Sequence, residues 1–214
     1  MPTIKGVIFD FDGTLTELTL DFQFMKTEIV KIARSYVPEE IITLSEGHFI
    51  LEMIYEIEDR LGEKGPQFRR EAFERLRILE LEASKGKEVN PYTREVLARI
   101  KGKGVKVGVI TRSCLDVLKS VFPDIKEYVE GIVTREHIRE VKPHPGQVYA
   151  ISSILSIHPE EGMLAGDHPT DVAAGKAAGM KTVGLLTGRT TKQDFEAENP
   201  TYILEDIRGI PDLL

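Results

Sequence analysis

Residues 4–14 read IKGVIFDFDGT, and this segment sets the architecture expected for the whole chain. Its first half is short and apolar, which is typical of a strand buried on both faces within a parallel sheet. Asp10 and Asp12 follow directly, and in extended chain the side chains of residues i and i+2 point the same way, so both carboxylates can face one site. Two acids held this close are costly unless they share a cation or a proton. The segment therefore predicts a buried strand that ends in a charged site.

Further short apolar runs along the chain predict the rest of the sheet. They lie at residues 105–110, 162–165 and 182–186, with further candidates at 131–134 and 201–204. Helical patterns separate them, at residues 92–101, 115–122, 145–155 and 169–178. Because strands and helices alternate, we expect an α/β fold with a doubly wound, mostly parallel sheet.

One long segment, residues 16–89, shows helical patterns only. Its apolar side chains recur three and four residues apart in three stripes, which predict a buried face on each of three helices. The stripes are Phe22, Met25, Ile29, Ile32 and Tyr36; Ile50, Met53, Ile54, Ile57 and Leu61; and Phe68, Ala72, Leu76, Leu79 and Ala83. Asn90 precedes Pro91, and a residue before proline is biased away from helix. We therefore expect a core domain formed by residues 1–15 and 90–214, with an all-helical domain inserted at 16–89.

The composition narrows the class of protein. Of the 214 residues, 41% are hydrophobic and 29% are charged, as in an ordinary globular protein with a real core. The net charge of −7 argues against nucleic acid as a partner. No apolar run reaches the roughly 18 residues that a membrane helix needs, and the lone Cys114 excludes an internal disulfide. We therefore expect a cytoplasmic protein that binds neither nucleic acid nor membrane.

Polar residues that suit a phosphoryl group and a hard cation follow several predicted strands. Thr111 and Asp167 each come directly after a strand or its last glycine, Lys142 lies in the extended segment VKPHP, and Asp171 follows in GDHPTD. In an open α/β sheet, ligands bind outside the carboxyl ends of the strands, where Asp10 also lies. Carboxylates, a hydroxyl and a lysine together can bind a divalent cation and a phosphate.

These motifs, in this order, resemble the haloacid dehalogenase superfamily of phosphotransferases: DFDGT at 10–14, Thr111, Lys142 and GDHPTD at 166–171. The match spans the whole chain, and the helical insertion resembles the cap of the phosphoglycolate phosphatase-like branch. The resemblance implies a Rossmann-like core, phosphatase activity on a small phosphorylated metabolite, and Mg²⁺ as the cofactor.

The resemblance also implies a role for each motif residue. Asp10 attacks phosphorus and becomes an aspartyl-phosphate, while Asp12 acts first as general acid and then as general base. Thr111 and Lys142 bind the phosphoryl oxygens and stabilise their charge.

The same resemblance implies the ligands of the metal. Mg²⁺ is bound by Asp10, the backbone carbonyl of Asp12 and Asp167, with Asp171 acting through water or in support.

Three neighbouring residues have less defined roles. Arg112 follows Thr111 and is a further phosphate-binding candidate, which could reach either the phosphate or the inserted domain. His168 is expected to form a supporting hydrogen bond, and His144 to lie at the surface or in packing. The sequence leaves the roles of both histidines open.

Other activities fit these motifs to different degrees. Dehalogenases and phosphonatases of the superfamily replace the second acid, so Asp12 argues against both. A phosphosugar mutase keeps both acids and stays open as the alternative, although mutases often carry a different residue at the position of Thr14. A phospho-accepting signalling domain belongs to a different class. It carries an acidic pair after its first strand and the phosphorylated Asp after a middle strand, whereas here a second acidic pair follows a late strand and comes after Lys142, which is the wrong order.

The inserted domain bears on the substrate. A cap that closes over the site favours a small soluble phosphoester, because a macromolecule could hardly enter a closed site. Phosphoglycolate is the first candidate by resemblance, and other small monoesters and pyrophosphate stay open. The sequence does not determine the oligomeric state.

Overall fold

The computed structural model describes residues 3–45 and 47–214, and within them it contains six strands and ten α-helices. The strands are β1 (Gly6–Phe9), β2 (Lys106–Ile110), β3 (Gly131–Val133), β4 (Gly162–Gly166), β5 (Lys181–Leu185) and β6 (Tyr202–Leu204). The helices are α1 (Phe22–Ala33), α2 (Glu39–Ser45), α3 (Ile50–Leu61), α4 (Gly65–Ala83), α5 (Thr93–Gly102), α6 (Leu115–Val121), α7 (Ile125–Tyr128), α8 (Gly146–Leu155), α9 (Pro169–Ala178) and α10 (Lys192–Glu198).

The chain divides into two compact units. One is formed by Met1–Thr19 together with Gly86–Leu214 and contains all six strands of the described chain. The other, Leu20–Lys85, contains helices α1 to α4 and no strand among its described residues. This helical unit is shorter at both ends than the expected segment 16–89, because residues 16–19 and 86–89 belong to the strand-containing unit, where Thr16 and Val89 form a bridge.

The six strands form one sheet in the order β3-β2-β1-β4-β5-β6, and every neighbouring pair is parallel. The predicted α/β fold with a doubly wound sheet is confirmed, and all the described strands run parallel. β1 lies between β2 and β4, with Gly6 level with Lys106 on one side and with Gly162 on the other. This arrangement brings the carboxyl ends of three strands to one edge of the sheet.

The core lies on both faces of this sheet because each strand buries alternate side chains on opposite sides. Ile8 of β1 belongs to a cluster with Ile151 and Leu155 of α8. Close approach of α8 requires small residues in the strands beneath it: a Cβ added at Gly108 would lie 2.7 Å from Cγ1 of Ile151. Glycine in β2 therefore sets how closely α8 covers the sheet.

The helical unit is held together by the predicted stripes, with two corrections. Met25 and Ile29 of α1 and Phe68 of α4 are buried, as expected. Phe22 was expected on the buried face but is 46% exposed, because it is the first residue of α1 and lies beyond the packed part of the stripe. Helix α2 was not predicted, since its seven residues are too short to produce a stripe.

Residues 3–45 and 47–214 were expected to contain no membrane-spanning helix. No helix there combines the length and the apolar composition needed to cross a bilayer.

The packing of α10 on the sheet generates a stability prediction. A Cβ added at Gly184 in β5 would lie 2.6 Å from Cδ1 of the buried Phe195. We expect Gly184→Ala to lower the free energy of unfolding by about 1–3 kcal/mol, because the ring must move in a packed core. Urea unfolding measures this change.

The matched control is Gly102→Ala at the end of α5, where an added Cβ meets no atom within 4 Å. The control should be neutral or slightly stabilising. Equal stabilities of the two variants would contradict the packing described for Phe195.

Candidate active site

The candidate site lies at the carboxyl edge of the sheet. Asp10 directly follows β1, Thr111 follows β2 and Asp167 follows β4, so the central position of β1 puts the three residues next to one another. The strand ladder continues into the site, because the backbone N–H of Asp10 donates to the carbonyl of Ala165 at 2.9 Å. Residues far apart in sequence are thus fixed by the backbone hydrogen bonds of the sheet.

Lys142 lies at the centre of the site and is buried. Its Nζ atom is 2.7 Å from Oδ1 of Asp10 and 2.5 Å from Oδ1 of Asp171. Burial acts to lower the pKa of Lys142, but the two carboxylates outweigh it and the pKa is raised. The lysine is therefore a fixed cation between two acids.

The segment that carries Lys142 is tied to the strand ends by Gln147 of α8. The amide Nε2 of Gln147 donates to the carbonyls of Thr111, at 2.8 Å, and Val133, at 3.3 Å. Its Oε1 atom accepts from the backbone N–H of Lys142 at 3.2 Å. One buried glutamine therefore links β2, β3 and the lysine segment.

Three buried carboxylates form a group that fits a metal ion. One oxygen from each of Asp10, Asp167 and Asp171 lies within 4.8 Å of the other two. Oδ1 of Asp167 accepts from the hydroxyl of Thr14 at 3.2 Å. A Cβ added at Gly13, where φ is +84°, would lie 2.3 Å from Oδ2 of Asp167, so only glycine fits this close turn.

The electrostatics of the three acids also fit a cation. Burial raises the pKa of Asp10, against the effect of Lys142, and the charges of Asp171 and Asp167 raise it further. Burial, with the charge of Asp171, raises the pKa of Asp167 to about 7. The buried acids outnumber the one lysine between them, and a hard divalent cation that takes oxygen ligands would supply the missing positive charge.

Asp12 has different neighbours from the other acids. Its Oδ2 atom accepts from the hydroxyl of Ser113 at 2.6 Å, and its Oδ1 atom lies 3.9 Å from Nζ of Lys87. Burial raises the pKa of Asp12, while Ser113 and Lys87 act to lower it. Its carboxyl group is therefore set apart from the metal-binding group formed by Asp10, Asp167 and Asp171.

The remaining sequence candidates make contacts with the backbone. Thr111 is buried, and its Oγ1 atom accepts from the backbone N–H of Ser113 at 3.0 Å. Arg112 donates from Nη1 to the carbonyl of Lys142. The guanidinium of Arg112 therefore helps to hold the lysine segment in place.

The two histidines that the sequence left open bond to their own loops. Nδ1 of His168 accepts from the N–H of Thr170 at 3.3 Å and caps α9, while the N–H of His168 donates to Oδ2 of Asp171 at 3.1 Å. Nδ1 of His144 accepts from the N–H of Gly146 at 3.0 Å. His168 thus orients the helix turn that carries Asp171, and His144 shapes the start of α8.

Sequence reasoning did not identify three residues of the site, namely Ser113, Lys87 and Gln147. A polar Gln147 among the apolar residues of α8 is a signal that could have been noticed, since a buried glutamine needs partners. Ser113 and Lys87 carry no such signal, because serine and lysine are common in loops.

Comparisons with known proteins identify one family and several similar proteins. The sequence profile of the family described as haloacid dehalogenase-like hydrolase matches residues 7–185. A pyrophosphatase PpaX from Bacillus pumilus is 28% identical over 214 residues, covering 97% of this chain and 95% of that protein. A phosphoglycolate phosphatase from Shigella dysenteriae is 24% identical over 229 residues, covering 97% and 91%.

A solved structure supports the fold. The β-phosphoglucomutase PgmB from Clostridium difficile superimposes with a TM-score of 0.67 at 17% identity, covering 97% of this chain and 93% of that one. At this identity the likeness bears on the fold alone.

The raised pKa of Asp167 predicts how stability depends on pH without metal. Between the ordinary pKa of 3.8 and about 7, the folded chain holds this proton more tightly than the unfolded chain. The contribution of this proton to the free energy of unfolding is fully present below pH 3.8 and is lost as the pH rises to about 7. In EDTA we expect the Tm to fall by several degrees between about pH 6 and about pH 8.

The comparison variant is Asp167→Asn, in which the fall in Tm should be smaller because the group no longer titrates. Asp212→Asn, whose side chain is 80% exposed, should behave like the wild type. Calorimetry of the three proteins at both pH values tests this, and an undiminished fall in Asp167→Asn would contradict it.

Proposed function

Because this chain belongs to the haloacid dehalogenase-like hydrolase family, we propose that it is a Mg²⁺-dependent phosphatase. It hydrolyses a small phosphate monoester through an aspartyl-phosphate on Asp10. The observation that carries the proposal is the buried carboxylate of Asp10, held 2.7 Å from the ammonium of Lys142 beside two further acids. Such a carboxylate can attack an anionic phosphate only where fixed positive charge offsets the repulsion.

Asp10 is the nucleophile of this mechanism. Its Oδ1 atom accepts from the N–H of Phe11 at 2.7 Å and pairs with Lys142, so we assign the attack to Oδ2. As the bond from Oδ2 to phosphorus forms, the ester bond from phosphorus to the leaving oxygen breaks. The covalent intermediate divides one difficult displacement into two easier ones.

Asp12 moves the protons in both steps. Burial raises the pKa of Asp12, which favours the protonated carboxyl group that can donate to the leaving oxygen. The resulting carboxylate then takes a proton from water as the water attacks the aspartyl-phosphate. Phosphate leaves, Asp10 is regenerated as a carboxylate and Asp12 is protonated again.

Lys142 and Thr111 bind the phosphoryl oxygens. Lys142 is a buried cation next to the nucleophile, where a low dielectric strengthens its attraction for phosphate. The hydroxyl of Thr111 accepts a bond from Ser113, which leaves its own proton for a phosphoryl oxygen. The contact of Arg112 with the carbonyl of Lys142 favours a supporting role for Arg112 over direct phosphate binding.

Asp10, Asp167 and the backbone carbonyl of Asp12 are the proposed ligands of Mg²⁺. Asp171 is the least direct of the acids, since Lys142 already lies 2.5 Å from its Oδ1 atom. When bound, Mg²⁺ offsets the charge repulsion between the nucleophile and the phosphate.

The helical unit Leu20–Lys85 is the proposed cap. It is inserted between the segment that carries Asp10 and the strand that leads to Thr111. A cap that closes over the site favours small substrates. The relatives named phosphoglycolate phosphatase and pyrophosphatase support the same size class, with phosphoglycolate as the first candidate and pyrophosphate as the next.

A phosphosugar mutase of the same family is the second candidate function. It is compatible with the presence of both acids, since a mutase also needs Asp10 to accept and return the phosphoryl group and Asp12 to transfer the protons. The two activities differ in where the phosphate goes, which is water for a phosphatase and a second sugar hydroxyl for a mutase.

Replacing the nucleophile tests the mechanism. We expect Asp10→Asn to lower kcat by on the order of 10⁴-fold or more, because an amide cannot form the covalent intermediate. Phosphate release with and without Mg²⁺ measures this. Asp212→Asn, an exposed acid, is the matched control and should keep wild-type activity. Full activity in Asp10→Asn would contradict the proposal.

A substrate panel tests the class of reaction. We expect phosphate release from small monoesters, with phosphoglycolate and pyrophosphate compared under the same conditions. Hexose phosphates are included with detection of isomerised sugar phosphate as well as free phosphate. Isomerisation of a hexose phosphate without release of phosphate would contradict the phosphatase assignment and support the mutase.

A further inference from the structure

The segment that returns from the helical unit is attached to the loop after Asp12. Thr16 forms an antiparallel bridge with Val89, and its hydroxyl donates to the carbonyl of Glu88 at 2.8 Å. The N–H of Asn90 donates to the carbonyl of Leu15 at 2.9 Å. These bonds lie within the strand-containing unit and fix residues 87–90 beside the loop that begins with Asp12.

This attachment brings Lys87 to Asp12. The Lys87 side chain is only 9% exposed, and its Nζ atom lies 3.9 Å from Oδ1 of Asp12. Within residues 3–45 and 47–214, neither of these two buried atoms has a hydrogen-bond partner. The exposed Glu17 adds a further attraction for Lys87. Of the two described acids that attract Lys87, Asp12 is therefore the one whose side chain is mostly covered, being 10% exposed.

Burying an ammonium group without a hydrogen bond is costly, and the charge of Asp12 compensates for only part of that cost. Burial in fact lowers the pKa of Lys87, against the attraction of Asp12 and Glu17. Packing alone would be served as well by an apolar side chain of similar length. The arrangement therefore needs an explanation in terms of what the charge does for Asp12.

We propose that Lys87 is a positioning residue that, together with Ser113, holds the carboxyl group of Asp12 in the orientation needed for proton transfer. Ser113 donates to Oδ2 of Asp12 at 2.6 Å, and Lys87 attracts the other carboxyl oxygen, Oδ1. Rotation of the carboxyl group is therefore opposed at both of its oxygens. The inference rests on the proposed function, in which Asp12 serves as general acid and base. Proton transfer requires hydrogen-bond geometry, so a small rotation of the carboxyl group slows it.

The choice of leaving group separates this role from a structural one. An alkoxide leaving group needs a proton from Asp12, whereas p-nitrophenolate is stable enough to leave without one. We expect Lys87→Met to lower both kcat and kcat/KM for an alkyl phosphate by roughly 10- to 100-fold, with KM within about twofold. For p-nitrophenyl phosphate the loss in kcat/KM should be below about threefold. This ratio reports the transfer of the phosphoryl group to Asp10 and not the later hydrolysis of the aspartyl-phosphate, in which Asp12 is the base for both esters.

Two further variants control the experiment. Lys87→Arg keeps the charge and should recover most of the activity on the alkyl phosphate. Lys85→Met changes an exposed lysine two positions earlier and should match the wild type on both esters. Tm is measured for every variant, and Lys87→Gln replaces Lys87→Met if the latter does not fold.

Several outcomes would overturn the inference. They are equal losses in kcat/KM on both esters, a raised KM with unchanged kcat on the alkyl phosphate, which would make Lys87 a substrate-binding residue, and failure of Lys87→Arg to recover activity.

Asp12→Ala distinguishes this inference from the proposed function itself. If Asp12→Ala keeps its activity on the alkyl phosphate, the proposed function is wrong. If Asp12→Ala loses that activity while Lys87→Met keeps it, only the role of Lys87 is wrong.

Discussion

The ammonium group of Lys142 lies buried between the carboxylates of Asp10 and Asp171, and the charge balance of the whole site depends on this contact. Removing one partner from a buried ion pair leaves an uncompensated charge, which is far costlier than losing a surface salt bridge. Gln147 and Arg112 bond to the backbone of Lys142 and keep the ammonium in place. The single positive charge of Lys142 balances only part of the negative charge of the buried acids. The remaining negative charge makes the site suitable for a cation, which would in turn attract a phosphoryl group.

The parallel sheet makes this contact possible. With β1 between β2 and β4, the residues that follow these strands must lie side by side, although Thr111 and Asp167 are both far from Asp10 along the sequence. The approach of the loop after β1 to Asp167 requires a small residue at Gly13, where a side chain would collide with Asp167. Asp12 is thereby separated from the other acids of the site. Asp167 lies with Asp10 around the prospective metal, whereas Asp12 lies with Ser113 and Lys87.

Much of the fold could be predicted because it depends on local patterns. Short apolar runs marked all six described strands to within two residues. Four of them, β1, β2, β4 and β5, are largely buried, and a strand buried on both faces must be apolar. Prediction failed where a pattern was too short or where packing ended early. Helix α2 has only seven residues, and Phe22 continues an apolar stripe past the part of α1 that is covered. Such limits are set by neighbouring elements, which the pattern of one segment does not contain.

The sequence by itself determined the α/β architecture, the helical insertion and the types of residue available for chemistry, because each of these is written in a contiguous stretch of chain. Only the tertiary structure decided that Lys142 pairs with both Asp10 and Asp171, and that Asp12 faces Ser113 and Lys87. Electrostatic interactions depend on distance and burial, and a shift of one or two ångströms changes which charges pair. Those distances are set by the register of the sheet and by buried links such as Gln147, which join residues from several strands at once.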